Sequence, residues 1–416
     1  MAKQLMTKAK KAVRIYKDGG MRAVVRKVKQ IKSSKGKTDL IRGYDFIINT
    51  DKTAFDQEAY EELKKSSDIV INWVIPLPGI GSGGHINIFR FICNLQKLGF
   101  KNRVYTMNGD EMAPDEQFHE FVDKYYGVKD RTIELHHGTG RMKCAHATIA
   151  TSWETAYIVN NFDNTVSKFY FVQDFEPYFF PLGSRYSFAE NTYKFGFRGI
   201  TAGGWLKEKL HDEYGMETEG FGFSYDRDLY QKKEKHDDRN RIFYYARPFT
   251  ERRSFEMGLL VLNALSKKVP DLEIVMAGSS LEEYEIHFPY TDLGTVELDK
   301  LSELYAQCDM CLVLSHTNLS LLPLEIMASN SVVVCNRGAN SEWLVNDGNA
   351  VMVESEPLDI IEKVSYYFEH KDELEHLRKK GMEFAKNTSW MQEAEKVAAF
   401  IKKGVKEDEE SIGNRR

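Results

Sequence analysis

The chain has 416 residues, 42% hydrophobic and 29% charged, with a formal net charge of −5. That length exceeds one ordinary core and points to two domains of a globular protein, which excludes the disordered and fibrous classes. No run approaches the roughly 20 apolar residues of a membrane span. The start MAKQLMTKAKKAV lacks the apolar centre of a secretory signal, and five dispersed cysteines argue against a disulfide framework, which fits a reducing cytoplasm.

Residues 1–38 carry 13 Lys or Arg against one acid, Asp18, a net +12 that leaves −17 on the remainder. So acidic a body argues against nucleic acid as partner. Leu5, Ala9, Ala12, Val13 and Tyr16, then Met21, Val24, Val25, Val28 and Ile31, recur at helical spacing on either side of Gly19-Gly20. The expectation is a basic amphipathic arm of two short helices. Such an arm suits an anionic membrane surface and would place the protein peripherally on the inner face of the cell membrane. A solvated arm, or one packed on the acidic body, accounts for the pattern equally.

Residues 39–235 are expected to form a first Rossmann-like domain, after a linker over 33–37. Apolar strands are expected over 69–75, 104–106, 148–151, 168–172 and 199–201, with helices over 86–98, 153–160 and 205–214. This alternation predicts a doubly wound parallel sheet. The first strand is followed by Gly79, Gly81, Gly83 and Gly84, whose amides could reach a phosphate or an acceptor. The spacing is not GxGxxG, because the third glycine falls one position late, so a dinucleotide site is not expected. His85 follows and is expected to point into a cleft. Asp174 and Glu176 alternate with aromatic residues after another strand. They are expected to bind acceptor hydroxyls, with Phe175 and Tyr178 stacking on sugar faces.

The segment 232–241, KKEKHDDRNR, has no apolar residue and reads as the domain linker. A second Rossmann-like domain is expected over 236–389. Its strands should span 242–245, 273–277, 310–314 and 332–334, and its helices 255–266, 301–308 and 323–329. A last helix over 390–405, within the segment 390–416, is expected to pack back on the first domain. Cys308 and Cys311 form a CxxC, read here as small residues at a helix-to-strand junction because no second CxxC accompanies them.

Three loops at the carboxyl ends of the second set of strands carry chemistry, where ligands of such sheets bind. The first holds Arg247 and Arg252, five residues apart, and arginine suits bidentate phosphate recognition. The second places Gly278 where backbone must turn tightly or approach a ligand. The third runs from Ser315 to Glu325. A helix start near Leu322 would offer free N–H groups to an anion, and Glu325 in its first turn could accept from ribose hydroxyls.

In this order, Arg247 with Arg252, Met276-Ala-Gly278, Leu293-Gly-Thr295-Val296, Leu301 to Asp309, Ser315, and Pro323-Leu-Glu325 resemble the second domain of family 4 glycosyltransferases. The likeness spans about residues 240–390. It implies the GT-B fold, an α/β architecture of two Rossmann-like domains facing a cleft, here with a helical basic N-terminal extension. It implies that Arg247 and Arg252 bind the donor diphosphate and act in catalysis. It further implies that the backbone of Leu321 and Leu322 binds phosphate, that Glu325 binds the ribose, and that Thr295 and Val296 lie against the base. Three positions depart from the family pattern: Arg252 replaces a lysine, Asn330 a glycine, and Thr317 the first acid of Glu-x7-Glu. That acid contacts the transferred sugar in the family, so a neutral Thr317 points to a 6-deoxy sugar. The run from Phe169 to Gly183, FYFVQDFEPYFFPLG, resembles bacterial rhamnan-synthesis and surface-layer-glycan rhamnosyltransferases.

The resemblance implies a retaining transfer of L-rhamnose from dTDP-β-L-rhamnose to a lipid-linked rhamnan, with Gly83, Gly84, His85, Asp174 and Glu176 lining the acceptor side. Neither a cofactor nor a metal is expected, since Asp226-Arg-Asp228 matches a metal-binding DxD by letters only. A hexosyltransferase using UDP- or GDP-sugar and a non-catalytic carbohydrate-binding scaffold remain the alternatives.

Overall fold

The computed structural model describes residues 39–49 and 52–414, without the side chains of 412–414. The basic helices expected over 1–38 lie outside the described residues. Residues 1–51 form one unit and residues 52–416 another. Within the first, the helix Leu40–Ile48 is capped by Asp39, whose Oδ1 accepts from the Arg42 amide at 3.0 Å.

The second unit contains two wholly parallel sheets. The strands of the first are β1 (Val70–Ile75), β2 (Lys101–Thr106), β3 (Glu134–His137), β4 (Ala145–Ala150), β5 (Thr165–Val172), β6 (Arg198–Ala202) and β7 (Thr218–Phe221). They lie in the order β3-β2-β1-β4-β5-β6-β7. The second sheet is built from β8 (Arg241–Tyr245), β9 (Glu273–Ala277), β10 (Thr291–Asp292), β11 (Met310–Leu312), β12 (Val332–Asn336) and β13 (Val351–Val353). Its order is β10-β9-β8-β11-β12-β13.

Every residue of β1 and β4 is buried, because helices cover both faces of a parallel sheet. The apolar run Val-Ile-Asn-Trp-Val-Ile of β1 is therefore a central strand, and Asn72 within it spends its Nδ2 on the Lys143 carbonyl at 2.7 Å. The nine inner strands fall where the apolar runs predict them. The other four, β3, β7, β10 and β13, are the four sheet edges and were not anticipated, although β13 is a short apolar run whose three residues are all buried. The helices Gln57–Leu63, Asp115–Tyr126, Ser184–Asn191, Pro357–Glu369 and Lys371–Lys386 were likewise not anticipated.

The final helix, Trp390–Asn414, runs nine residues past the expected stop at 405 and lies on the first sheet. Asp408 Oδ2 accepts from Ser167 Oγ and from Arg198 Nη1, both at 2.6 Å, and Glu393 Oε2 accepts from the Gly222 amide at 2.7 Å. All five cysteines are free, and Cys308 and Cys311 are buried with their thiols against the Leu304 carbonyl and the Ser331 hydroxyl. Among the described residues no helix is long and apolar enough to cross a membrane.

Candidate active site

Strand order reverses between β1 and β4 in the first sheet and between β8 and β11 in the second. Such reversal points open crevices at the carboxyl ends of the strands, where α/β sheets take their ligands. In the second sheet, β8 runs into the loop 246–254 and β11 into the loop 313–321, so the arginine loop and the Ser315 loop flank one crevice. The His316 amide donates to the Arg252 carbonyl at 2.9 Å and ties the two together.

The arginine loop is internally braced. The Thr250 amide donates to Arg247 O at 3.0 Å, the Arg253 amide to Thr250 O at 2.8 Å, and the Tyr244 hydroxyl to Ser254 O at 3.2 Å. Gly278 closes its other side. With φ at +126°, a Cβ there would stand 2.7 Å from Ala246 O and 3.2 Å from Arg247 Cδ. The glycine is thus required by protein backbone passing close to the arginine loop. Its amide donates to Gly294 O at 2.8 Å, which brings the segment with Thr295 and Val296 beside the end of β9. Thr295 is exposed there, and Val296 packs partly against the core.

Arg252 sets its guanidinium 4.4 Å above the ring of Phe179, which belongs to the first domain. Its Nε is shut off from solvent and has no hydrogen-bond partner. Burial lowers its pKa, the charge of Asp174 works the other way, and Arg247 adds to the lowering.

The Ser315 loop is held by asparagines. Asn336 exchanges two 2.8 Å bonds with the Ser315 backbone, and Asn340 Nδ2 donates to Thr317 O at 2.7 Å. Asn318 reaches across to the first domain: its amide donates to Asp174 Oδ1 at 3.2 Å and its Nδ2 to Gln173 O at 3.0 Å. Burial raises the Asp174 carboxyl, opposed by the Thr317 hydroxyl, the Asn318 amide and the charges of Arg252 and Arg253. Thr317 brings no charge of its own, and the carboxylate beside it comes from Asp174 in the other domain.

Ser320, at φ +64°, turns the chain into the helix Leu322–Ala328, which has no side-chain cap. Pro323 has no N–H, and the amides of Leu324 and Glu325 bond back to Leu321 O, so the donors left at the helix start are those of Leu321 and Leu322. Glu325 is raised to about 7 by burial, against the pull of Arg90 and Tyr230. Arg90 belongs to the helix Gly83–Lys97 of the first domain, where its Nη1 donates to Asn87 Oδ1 at 2.7 Å and its guanidinium lies 4.4 Å over the Trp390 ring. The carboxyl expected at a ribose is therefore buried, with the charge of Arg90 from the first domain acting on it.

On the first-domain side, Gly83 and Gly84 form the opening turn of the helix Gly83–Lys97 rather than a free loop. The Gly84 carbonyl accepts from Gln173 Nε2 at 3.1 Å, which places it next to the Asp174–Asn318 bridge. His85 corrects the expectation of a ring directed at a ligand. Its Nε2 stands 3.0 Å from the Pro76 carbonyl and its Nδ1 2.7 Å from Ser82 Oγ. A carbonyl only accepts, so by the hydrogen-bond network Nε2 carries the proton and Nδ1 accepts from the serine. Burial lowers the His85 pKa, against the Pro76 carbonyl, and the ring braces the loop 76–82.

Glu176 requires a correction too. It is buried, and its Oε2 and Oε1 accept from the Trp153 amide and the Tyr170 hydroxyl, both at 2.9 Å, leaving neither oxygen turned to an acceptor sugar. Burial lifts its carboxyl to about 8. A native carboxyl raised in this way holds a proton that the unfolded chain has released, so stability falls as pH rises from roughly 4.3 to about 8 and levels beyond. Glu176→Gln should remove that slope, melt higher than the parent at pH 9 and retain activity; a loss of activity without loss of stability would return Glu176 to the acceptor site.

The structure thus brings together Arg247, Arg252 and Thr317 with Asp174 of the first domain, and Gln173 ties Gly84 beside them; Leu321 and Leu322 open the helix that follows the same loop. Sequence reasoning did not single out Gln173 or Asn318, which join the halves, nor Arg90. Nothing local marks them, because each is defined by a partner in another element.

Comparison with known proteins agrees with this architecture. Residues 240–365 match the family model described as WsaF, C-terminal domain. The O-antigen biosynthesis protein RfbC of Myxococcus xanthus is 32% identical over 334 residues, which cover 78% of this chain and 26% of that protein. The chain therefore spans about a quarter of that relative's length. Among solved structures, TarM superposes with a TM-score of 0.64 at 8% identity, over 80% of this chain and 98% of that one. A glycosyltransferase from Rickettsia africae ESF-5 gives 0.60 at 14%, over 82% and 100%. HepE of Anabaena, solved with UDP and glucose, gives 0.59 at 12%, over 80% and 100%. The fold is GT-B-like. In this GT-B arrangement the crevice of the second sheet opens toward the carboxyl ends of β1 and β5 of the first, and the bridge from Asn318 to Asp174 marks where the two meet.

Proposed function

We propose that the chain is a glycosyltransferase that takes a sugar from a nucleoside diphosphate and adds it to a growing bacterial surface polysaccharide. The carrying observation is the arginine loop: Arg247 and Arg252 stand at the strand-order reversal of the second sheet, and neither forms an ion pair with a carboxylate among the described residues. Cations in that position, next to the unbonded amides of Leu321 and Leu322, suit a diphosphate. The family match over 240–365 and the O-antigen role of the Myxococcus relative support the same reading.

In the reaction, the bond from the sugar's anomeric carbon to the diphosphate oxygen breaks and a bond to an acceptor hydroxyl oxygen forms, with configuration retained. Arg247, Arg252 and the two amides stabilise charge on the departing diphosphate, and one of its oxygens takes the acceptor's proton. Asp174, held by the Asn318 amide, is the carboxylate nearest the neutral Thr317 and is assigned to sugar hydroxyls.

Within this class the donor we favour is dTDP-β-L-rhamnose, with a rhamnan-type acceptor, because Thr317 replaces an acid that a 6-deoxy sugar does not need. A thermal-shift screen of UDP, GDP, ADP and dTDP compounds tests it. A ligand that binds the native state stabilises it, by about 2.7 kcal/mol at a hundredfold excess over Kd. The largest rise is expected with dTDP. A preference for UDP or GDP would replace rhamnose by another hexose, and no rise with any nucleotide would overturn the transferase reading in favour of a binding scaffold.

A further inference from the structure

The arginine loop ends in a residue the proposed mechanism does not use. Arg253 follows Arg252 in the short turn Glu251–Arg253, and its Nη1 is shut off from solvent without a hydrogen-bond partner. Burial is the main influence on its pKa and lowers it; Arg252 and Arg247 act the same way, while Tyr245 and Asp174 oppose them. Other arginines of this domain are neutralised: Arg239 and Arg241 by Asp237 and Glu273, and Arg337 by Glu342, Asp347 and Glu354. Among the described residues, no such ion pair joins Arg247, Arg252 or Arg253 to a carboxylate.

These three cations share one surrounding. The guanidinium groups of Arg247 and Arg253 lie 5.7 and 5.8 Å from the centroid of the Tyr245 ring. A Cβ at Gly278 would be 3.1 Å from that ring and 3.2 Å from Arg247 Cδ, so ring, glycine and arginines form one wall of the crevice. Ser254, next in the chain, is held at φ +50°, a conformation L-residues rarely adopt, and its carbonyl is fixed by Tyr244. A buried, unpaired cation is costly, and such groups persist where a partner supplies the missing charge. Among the described residues Asp174 is the carboxylate that acts on Arg252 and Arg253, so three arginines against it leave a double positive excess. A sugar ester of a nucleoside diphosphate is a dianion, and it becomes a trianion when the sugar leaves.

We propose that Arg253 is a third anion-binding arginine of this crevice, with its half-buried guanidinium directed at a diphosphate oxygen. This rests on the donor-diphosphate reading above, and it assigns to Arg253 the charge that appears as the leaving group departs.

The test uses the full chain and inorganic pyrophosphate, followed by calorimetry. Wild type should bind, Arg253→Gln should bind at least tenfold more weakly, and Arg253→Lys, which keeps the charge without the planar fork, should fall between them. Without ligand, Arg253→Gln should melt no lower than wild type, since it loses an unpaired cation; an arginine with a structural role would melt lower. Wild type and Arg253→Gln binding pyrophosphate equally would overturn this inference alone, and so would Arg253→Lys binding no more tightly than Arg253→Gln. Wild type failing to bind pyrophosphate would overturn the donor-diphosphate reading together with it.

Discussion

Arg252→Ala is expected to lower kcat/KM by about 10²–10³-fold, the effect of losing one donor to a developing oxyanion, about 2.7–4 kcal/mol. The size follows from the environment. The guanidinium lies over Phe179, its Nε is buried and unbonded, and burial already works against its charge. A cation in such a place interacts with a diphosphate through a lower effective dielectric than one in water. The fall should appear mainly in kcat, because the charge it meets is largest after the sugar bond breaks. Arg252→Lys should be milder, since it keeps a point charge but loses the planar stacking on Phe179. Steady-state kinetics with the donor chosen by thermal shift decide this, and an alanine variant with unchanged turnover removes Arg252 from the mechanism. Thermal melting should change little, because the side chain has no ion pair to lose.

The largest stability effect is expected at Gly258, in the helix Phe255–Lys268. A Cβ there would stand 2.2 Å from Cζ and Oη of Tyr244, a fully buried ring on β8. The helix backbone lies directly on that ring, so Gly258→Val must either lift the helix or swing the tyrosine away. Overpacking alone costs about 1–3 kcal/mol. Displacing Tyr244 also breaks its hydrogen bond to Ser254 O, and an unsatisfied buried polar group adds about 1–3 kcal/mol. We expect a total near 3 kcal/mol or more in urea unfolding. Activity should also fall in the protein that remains folded, because Ser254 ends the arginine loop. Pairing Gly258→Ala with Tyr244→Leu should recover part of the stability lost by Gly258→Ala alone, a coupling that a double-mutant cycle reads directly. A Gly258→Val protein that unfolds like wild type would show that the contact is not rigid.

Much of the architecture was legible because of how parallel sheets are covered. An inner strand with helices on both faces is apolar over most of its length, and β1, β4, β5, β8 and β12 each hold an apolar run in the sequence despite polar residues such as Asn72 and His146. The four edges, β3, β7, β10 and β13, carry sequences such as Glu-Leu-His-His and Thr-Glu-Gly-Phe. β3, β7 and β10 lack an apolar run because an edge pairs on one side only, and β13, though apolar and buried, spans three residues. The arginine loop, Gly278 and the Ser315 loop were legible for a related reason. In a βαβ chain, whatever follows a strand lies at the carboxyl end of the sheet, so order along the sequence maps onto one rim.

What that order cannot carry is the direction of a side chain and the identity of its partner. Glu176 and Asp174 sit two residues apart in one aromatic segment, yet Glu176 turns inward to Trp153 and Tyr170 while Asp174 meets Asn318, 144 positions away. Glu325 was placed at a ribose from its position in a helix turn, whereas the charge of Arg90 and the Tyr230 hydroxyl that act on its carboxyl come from distant segments. The sequence by itself determined the two parallel sheets, the crevice loops and their excess of arginine, because apolar runs and glycine turns are local consequences of burial and backbone geometry. Only the tertiary structure decided which carboxylate stands beside the neutral Thr317 and which arginines remain unpaired, because charge pairing across a cleft depends on distances between segments that no local pattern encodes.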